Sequence, residues 1–296
     1  MFFKSKDYKG LKKSFTEALT SEFTSSEINL IWREALRHYF AMSASEQLIS
    51  NERIFSANEC EQLIQLLNRL NGGEPFQYII GELEFYGLEL KIDSRALIPR
   101  PETEELVDWI CQYHNGEVKN ILDVCSGSGC IALALSHKFQ KANVSGVEFS
   151  KDAIDLAQDN TLALKLPANF IEVNVLDKES FTIFLNQQVH KNGPFDVIVS
   201  NPPYIPVQDR IDMDSNVLDY EPELALFVPD KDPLLFYRAI SEAVLPFLST
   251  NGALYFECHY LHVDQTRELL LELGFQNVEK RKDLQGNWRM LKAQKS

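Results

Sequence analysis

The stretch "ILDVCSGSGCIALAL", from Ile121 to Leu135, decides the fold class of this chain. A short apolar strand ends at Asp123, a loop of small residues follows, and an apolar helix begins near Cys130. Gly127 and Gly129 allow the backbone to approach a ligand closely and to point N–H groups at it. This order of strand, glycine loop and helix is typical of a nucleotide-binding α/β domain.

Strands and helices alternate on the C-terminal side of this loop. Such alternation, with apolar strands, predicts a mostly parallel sheet that carries helices on both faces. Ligands bind such sheets at the carboxyl ends of the strands, near the point where the strand order reverses. The predicted strands are NILDVCS, NVSGVEFS, NFIEVNV, FDVIVSN and GALYFEC, with two more near Phe275–Lys280 and Trp288–Ala293.

The first seventy residues have a helical pattern instead. Three capping boxes mark helix starts, Thr24–Glu27, Ser43–Glu46 and Ser56–Glu59, and apolar residues recur at helical spacing after them. Next, "FQYIIGELEFYGLELKID" alternates apolar and polar residues, which predicts a β-hairpin or an extended linker. We therefore expect a helical bundle over residues 1–73, a hairpin linker over 74–97 and the ligand-binding domain over 98–296.

Composition limits the function classes. The net charge is −14, and the acidic excess lies C-terminal to residue 70, which disfavours a nucleic-acid-binding surface. Five cysteines without a C-x-x-C pair argue against a disulfide framework and a zinc site, so no metal is predicted. Without a signal-peptide pattern or an apolar run of about 18 residues, we expect a cytoplasmic protein that does not enter a membrane.

Polar residues end two of the predicted strands. Glu148 ends the second strand, about twenty residues after the glycine loop, where an acid can accept both hydroxyls of a ribose. Asn174 ends the third strand, where an amide can reach the edge of an adenine. Dinucleotide-binding sites begin with the same loop spacing, with Ala132 here in place of their third glycine. These residues therefore do not decide which nucleotide-type ligand binds.

The fourth strand runs into "VIVSNPPYIP", from Val197 to Pro206, where two prolines prevent a strand from continuing. An NH₂ group conjugated to a π-system is a poor nucleophile, and two acceptors can hold it while its nitrogen pyramidalises. The side-chain oxygen of Asn201 and a main-chain carbonyl of the Pro202–Pro203 turn can be these acceptors, in a geometry that the prolines fix. Tyr204 can stack on a flat substrate group.

These motifs resemble those of a known family. Asp123–Gly129 is similar to the S-adenosylmethionine loop of class I methyltransferases, and "NPPY" to their amino-nitrogen signature. Four further segments resemble the peptide-chain-release-factor glutamine N5-methyltransferases, the HemK/PrmC family, over nearly the whole chain. They are "EPFQYIIGELEFYGLEL" (Glu74–Leu90), "LIPRPETEELV" (Leu97–Val107), "YEPELALF" (Tyr220–Phe227) and "DPLLFYRAI" (Asp232–Ile240).

The resemblance implies a Rossmann-like class I methyltransferase fold, with a mostly parallel seven-stranded sheet, an N-terminal helical bundle and a hairpin linker. It implies methyl transfer from S-adenosyl-L-methionine to the glutamine amide in the Gly-Gly-Gln loop of peptide chain release factors. The bundle would help to dock this protein substrate, and the enzyme would be a monomer that uses no metal and yields S-adenosyl-L-homocysteine.

Site residues are carried over from the family by position. Those implied to bind the cofactor are Asp123, Cys125, Ser126, Gly127, Ser128, Gly129, Glu148, Asn174, Val175 and Asn201. Those implied to bind the substrate are Asn201, Pro202, Pro203 and Tyr204, with Asn201, Pro202 and Tyr204 as the catalytic set. Arg100 and Glu102 lie in a proline-flanked turn, where we expect them to shape the site and bind the substrate at its mouth. Cys125 replaces a usual glycine and Glu148 replaces a commoner aspartate, so we expect altered cofactor affinity.

Three other functions remain open from the residues. An adenine or guanine N-methyltransferase acting on nucleic acid shares "NPPY", but the acidic charge and the lack of a recognisable target-recognition domain disfavour it. A non-enzymatic binding module would follow if Cys125 blocked the cofactor. An NAD-dependent oxidoreductase ranks last, because it would leave "NPPY" unexplained.

Overall fold

A computed structural model describes Phe3, residues 5–114, Gly116 and residues 118–295. The chain forms two compact units. Unit 1 runs to Gly81 and also includes Asp214–Tyr220, while unit 2 contains Glu82–Met213 and the chain from Glu221 onward. No helix within the described ranges is both long enough and apolar enough to cross a bilayer.

Helices precede the first strands, and strands and helices then alternate along the rest of the chain. In chain order the elements are α1 (Tyr8–Leu19), α2 (Ser25–Phe40), α3 (Ala44–Ile49), α4 (Ala57–Asn71), α5 (Phe76–Ile80), β1 (Glu82–Phe85), β2 (Leu88–Lys91), α6 (Pro101–Tyr113), β3 (Asn120–Val124), α7 (Cys130–Lys138), β4 (Asn143–Glu148), α8 (Lys151–Leu164), β5 (Ala168–Glu172), α9 (Lys178–Asn192), β6 (Phe195–Ser200), β7 (Ile205–Pro206), α10 (Ser215–Tyr220), α11 (Glu223–Leu226), β8 (Phe227–Val228), α12 (Leu235–Val244), β9 (Leu248–Glu257), α13 (Val263–Glu272), β10 (Gln276–Lys282) and β11 (Trp288–Gln294). Short 3₁₀ turns cover Val207–Asp212 and Leu245–Phe247.

Capped helices build unit 1. The predicted capping boxes are confirmed at Thr24, Ser43 and Ser56, where each hydroxyl accepts from the N–H three residues on and that residue's glutamate accepts from the cap N–H. These bonds satisfy backbone donors that a helix start leaves unpaired. The apolar faces of the helices meet around the buried side chains of Phe15 and Trp32.

The prediction of a hairpin across residues 74–97 is wrong for its first part. Phe76–Ile80 forms α5, because Pro75 is pre-set for a helix start and Gly81, at a φ of 78°, ends the helix in the left-handed region. The hairpin itself pairs only β1 with β2. The helical unit therefore extends to Gly81 instead of residue 73, and it includes α10, which no sequence signal had linked to it.

The central sheet of unit 2 confirms the predicted fold class. Over the described residues it has seven strands in the order β10-β11-β9-β6-β3-β4-β5. The five strands from β9 to β5 are parallel, and β10 and β11 add an antiparallel edge. The chain winds from β3 toward β5 on one side and places β6 on the other, so the strand order reverses at β3.

Candidate active site

A cavity in unit 2 lies at the carboxyl ends of β3, β4, β5 and β6, next to the reversal of strand order. Its wall contains the loop after β3, the end of β4, the residues after β5 and the corner after β6. The segment before α6 and the short helix α11 also contribute, together with single residues of α6, α8 and α12 and the start of α7. Of the predicted site residues, the wall includes Arg100, Cys125, Ser126, Gly127, Ser128, Glu148, Asn174, Val175, Asn201 and Pro203.

The loop after β3 has a backbone that favours glycine. Cys125, Gly127 and Gly129 have φ angles of 61°, 52° and 80°. A Cβ on Gly129 would lie 2.7 Å from Cζ of Phe170, whereas one on Gly127 would meet no atom within 4 Å. Gly129 is thus required for packing below the loop, while Gly127 leaves open space on the cavity side.

Cys125 has the left-handed conformation, which costs a residue with a side chain about 1 kcal/mol. Burial and the nearby charges of Glu148 and Asp123 raise the pKa of its thiol well above the ordinary value. The thiol is therefore protonated at neutral pH, and a protonated thiol is a weaker nucleophile than a thiolate. Its side chain lines the cavity without breaking the loop.

Glu148 is held by three backbone donors. Its Oε2 accepts from the N–H of Gly127 at 3.0 Å, and its Oε1 accepts from Phe149 and Ser150 at 2.8 and 2.9 Å. A carboxylate has about four acceptor positions, so its oxygens can still accept hydroxyl groups from a ligand.

The residues after β5 present an amide and an apolar wall. Oδ1 of Asn174 accepts from the N–H of Leu176 at 3.0 Å, which fixes the side chain and leaves its NH₂ group free to donate. Val175 is buried and lines the cavity, and Leu176 lies beside it on the same wall. This combination can bind the edge and face of a flat heterocycle.

Asn201 stands at the corner after β6. Its Nδ2 donates to Oγ1 of Thr103 at 3.3 Å, and Oγ1 of Thr103 donates to Oε2 of Glu257 at 2.7 Å. Tyr204 donates from its hydroxyl to Oε1 of the same glutamate at 3.2 Å. The amide nitrogen of Asn201 is thus engaged within the protein, and its oxygen is the group available to a ligand.

Tyr204 and Pro202 do not line the cavity. The ring of Tyr204 lies against the core with its centroid 5.8 Å from that of His259, and burial raises the pKa of its phenol well above the ordinary value. The phenol is a neutral hydrogen-bond donor in this setting. Stacking of Tyr204 on a substrate therefore stays a prediction.

Arg100 and Glu102 are separated by the turn into α6. Arg100 lines the cavity and forms an ion pair at 2.5 Å with Glu221, whose carboxylate is buried and also accepts from the N–H of Ile98. Glu102 points elsewhere and accepts from the side chain of Gln285 at 3.2 Å. The geometry thus brings only Arg100 of this pair to the cavity.

Asp123 and Gly129 lie beneath the loop and not on the cavity wall. Oδ2 of Asp123 accepts from the N–H of Ala132 at 3.2 Å, while no donor among the described residues reaches its Oδ1. Burial raises the pKa of this carboxyl to about 7, and the charge of Glu148 adds to the rise. Asp123 therefore anchors the start of α7 below the loop.

Sequence reasoning missed Thr103, Glu257 and Glu221. Thr103 lies inside the "RPETE" segment, but its hydroxyl had no visible partner in the chain nearby. Glu257 ends the apolar strand β9, just as Glu148 ends β4. The position of an acid at a strand end predicted Glu148, and the same argument could have found Glu257. Glu221 lies in the "YEPELALF" segment, and only folding shows that it pairs with Arg100.

Comparison with known proteins agrees with this architecture. The family model of the methyltransferase small domain matches residues 103–218, and that of the PrmC N-terminal domain matches residues 14–81. The catalytic domain of hMettl16 in complex with the MAT2A 3′UTR hairpin 6 has the same fold, with a TM-score of 0.51 and 13% identity over 83% of this chain and 85% of that one. The fold and the cavity define a class I methyltransferase.

Two proteins of similar sequence identify the family within this class of methyltransferases. The release factor glutamine methyltransferase of Flavobacterium psychrophilum is 39% identical over 96% of this chain and 98% of its own length. That of Bacteroides thetaiotaomicron is 36% identical over 85% and 87% of the two chains. This chain belongs to the release factor glutamine methyltransferase family.

Proposed function

We propose that this enzyme transfers a methyl group from S-adenosyl-L-methionine to the N5 side-chain amide nitrogen of the glutamine in the Gly-Gly-Gln motif of peptide chain release factors. The observation that carries this proposal is the position of Asn201, whose amide oxygen is available at the cavity beside the glycine loop. Sequence similarity supports the proposal, because the relatives from Flavobacterium psychrophilum and Bacteroides thetaiotaomicron, which match most of this chain, are both named release factor glutamine methyltransferase.

The cavity residues suit S-adenosylmethionine as the cofactor. Glu148 would accept from the ribose hydroxyls, Asn174 and Val175 would contact the adenine, and the loop residues Cys125–Ser128, which line the cavity, would lie against the amino-acid part. When bound, this cofactor supplies an electrophilic methyl group on a sulfonium.

Asn201 would hold the substrate amide. Its oxygen would accept one N–H of the glutamine NH₂ group, and a carbonyl of the Pro202–Pro203 turn would accept the other. Two acceptors in this arrangement favour a pyramidal nitrogen, whose lone pair is no longer delocalised into the carbonyl. The corner is rigid, so this stabilisation needs little reorganisation at the transition state. After transfer the nitrogen is cationic and its proton can leave to water, so no dedicated base is required.

Unit 1 would contribute to docking of the release factor. Helix α3 buries none of its residues and exposes two large apolar side chains, Leu48 and Ile49. Exposed apolar side chains on a short helix are suited to a protein partner. Because release factors act in translation, we also propose that the enzyme works in the cytoplasm. We further propose that it acts as a monomer.

The decisive experiment is mass spectrometry of the Gly-Gly-Gln fragment of a release factor after incubation with the enzyme and labelled S-adenosylmethionine. One added methyl on the glutamine is expected, and none on a release factor whose glutamine is replaced by alanine. Parallel reactions contain DNA and RNA. Label found only in nucleic acid would refute the proposal, and calorimetry with S-adenosylhomocysteine that gives no heat would favour a binding module without a cofactor.

A further inference from the structure

A chain of hydrogen bonds connects Asn201 to the interior of unit 2. It runs from Nδ2 of Asn201 to Oγ1 of Thr103, and from that hydroxyl to Oε2 of Glu257, over 3.3 and 2.7 Å. Oε1 of Glu257 accepts from the hydroxyl of Tyr204 at 3.2 Å. In the ionised form of Glu257, both carboxylate oxygens are acceptors. Burial raises the pKa of this carboxyl, while the hydrogen bonds from Thr103 and Tyr204 and the charge of Arg289 oppose the rise and favour the ionised form.

The carboxylate fixes the direction of this chain. A threonine hydroxyl has one proton, and Thr103 donates its proton to Glu257, so Oγ1 of Thr103 can only accept from its other neighbour. The amide of Asn201 must then turn its NH₂ group toward Thr103, because its oxygen would face another lone pair. This leaves Oδ1 of Asn201 directed away from Thr103, where an amide N–H can reach it.

The parts of this device are rigid. Thr103 lies in the first turn of α6 and is 2% exposed, and its N–H donates to the carbonyl of Arg100 at 3.0 Å. Glu257 is the last residue of β9 and is 1% exposed. Ser200 pairs with Phe256 across the parallel strands β6 and β9, so Asn201, the residue after β6, lies next to Glu257, the last residue of β9.

We propose that Thr103, held by Glu257, is a positioning residue that keeps the amide of Asn201 in the orientation required for methyl transfer. This inference rests on the proposed function. With the amide inverted, its NH₂ group would face the NH₂ group of the substrate glutamine, and two donors make no hydrogen bond. Thr103 also lines the cavity, but its hydroxyl is engaged by Asn201 and Glu257, so its loss should affect the chemical step more than cofactor binding.

The test compares Thr103→Val, which keeps the shape and removes the hydroxyl, with Thr103→Ser, which keeps the hydroxyl. For Thr103→Val we expect kcat on a full-length release factor to fall on the order of 100-fold, as misplacement of a catalytic group does. The KM for the release factor and the affinity for S-adenosylhomocysteine should stay close to those of the original enzyme. Thr103→Ser should restore most of kcat.

A matched control separates positioning from stability. Thr266→Val removes another fully buried hydroxyl of unit 2, which donates to the carbonyl of His262 at 2.9 Å on α13. It should lower the melting temperature as Thr103→Val does, yet leave kcat unchanged.

Two outcomes overturn the inference: an unchanged kcat in Thr103→Val, and a folded Thr103→Ser variant that is as slow as Thr103→Val. If Thr103→Val does not fold, the kcat of Thr103→Ser still decides. Failure of the proposed function is distinct, because the original enzyme itself would then leave the release factor unmethylated.

Discussion

The backbone N–H of Gly127 donates to Oε2 of Glu148 at 3.0 Å, and this bond joins the glycine loop after β3 to the acid that ends β4. The other oxygen of the carboxylate accepts from the N–H groups of Phe149 and Ser150. The carboxylate is thus oriented by the backbone before a ligand arrives, and such preorganisation reduces the entropy that binding costs.

Replacement of Glu148 by glutamine should weaken cofactor binding. Both carboxylate oxygens accept backbone N–H groups, so the amide NH₂ of a glutamine must face at least one of these donors. Loss of a hydrogen bond to a charged group is worth about 1.5–3 kcal/mol, and we expect the Kd for S-adenosylhomocysteine to rise about 10- to 100-fold. Isothermal calorimetry measures this change.

Glu172→Gln is the matched control. Glu172 is exposed at the end of β5 and pairs in register with Glu148, but it does not line the cavity. Its replacement should leave the Kd unchanged. Equal Kd values for Glu148→Gln and the original enzyme would contradict the assignment of the ribose site.

Substitution of Gly129 tests the packing beneath the loop. An alanine Cβ would lie 2.7 Å from Phe170 and would also strain a φ of 80°, so Gly129→Ala should destabilise the protein by about 2–4 kcal/mol. Gly286→Ala is the control, because Gly286 has a φ of 90° with open space around it and should lose only about 1 kcal/mol. Urea unfolding compares the two, and equal losses would show that the contact with Phe170 does not matter.

Local motifs explain why much of the fold and site could be predicted. Glu148, Asn174 and Asn201 all follow apolar strands, and the carboxyl ends of parallel strands meet at one edge of a sheet. The bond between Thr103 and Glu257 could not be predicted, because it joins residues 154 positions apart that only the docking of α6 on the sheet brings together. Helix α9 carries a weak sequence signal, because most of its residues are polar and only Phe181, Phe184 and Leu185 are buried.

Asn201→Ala should separate chemistry from cofactor binding. It removes the proposed acceptor of the glutamine N–H, so the methyl on the Gly-Gly-Gln fragment should disappear in mass spectrometry. The Kd for S-adenosylhomocysteine should change little. Asn174→Ala should give the reverse pattern, with a raised Kd and methylation that recovers at high cofactor concentration. A normal rate of methylation by Asn201→Ala would rule out the proposed mechanism.

The exposed face of α3 provides a test of docking. Leu48 and Ile49 are 80% and 81% exposed, so their replacement by serine should not affect stability. If they contact the release factor, the double variant should raise the KM for that substrate about 5-fold or more, with kcat and the Kd for S-adenosylhomocysteine unchanged. Leu162→Ser is the control, since Leu162 is 76% exposed on α8 in unit 2. An unchanged KM in the double variant would show that α3 is not part of the docking surface.

The buried carboxyl of Asp123 should make stability depend on pH. Its pKa is raised from 3.8 to about 7, so between about pH 4 and pH 7 the folded protein keeps a proton that the unfolded chain has released. The free energy of unfolding should therefore fall as pH rises through this window, by on the order of 1 kcal/mol per pH unit from this group, and not change further above pH 7. The asparagine of Asp123→Asn has no titrating proton. The free energy of unfolding of the original protein minus that of the variant, both measured in urea, should therefore decrease as the pH rises from about 4 to 7. Parallel pH profiles for the two proteins would show that Asp123 is ionised throughout.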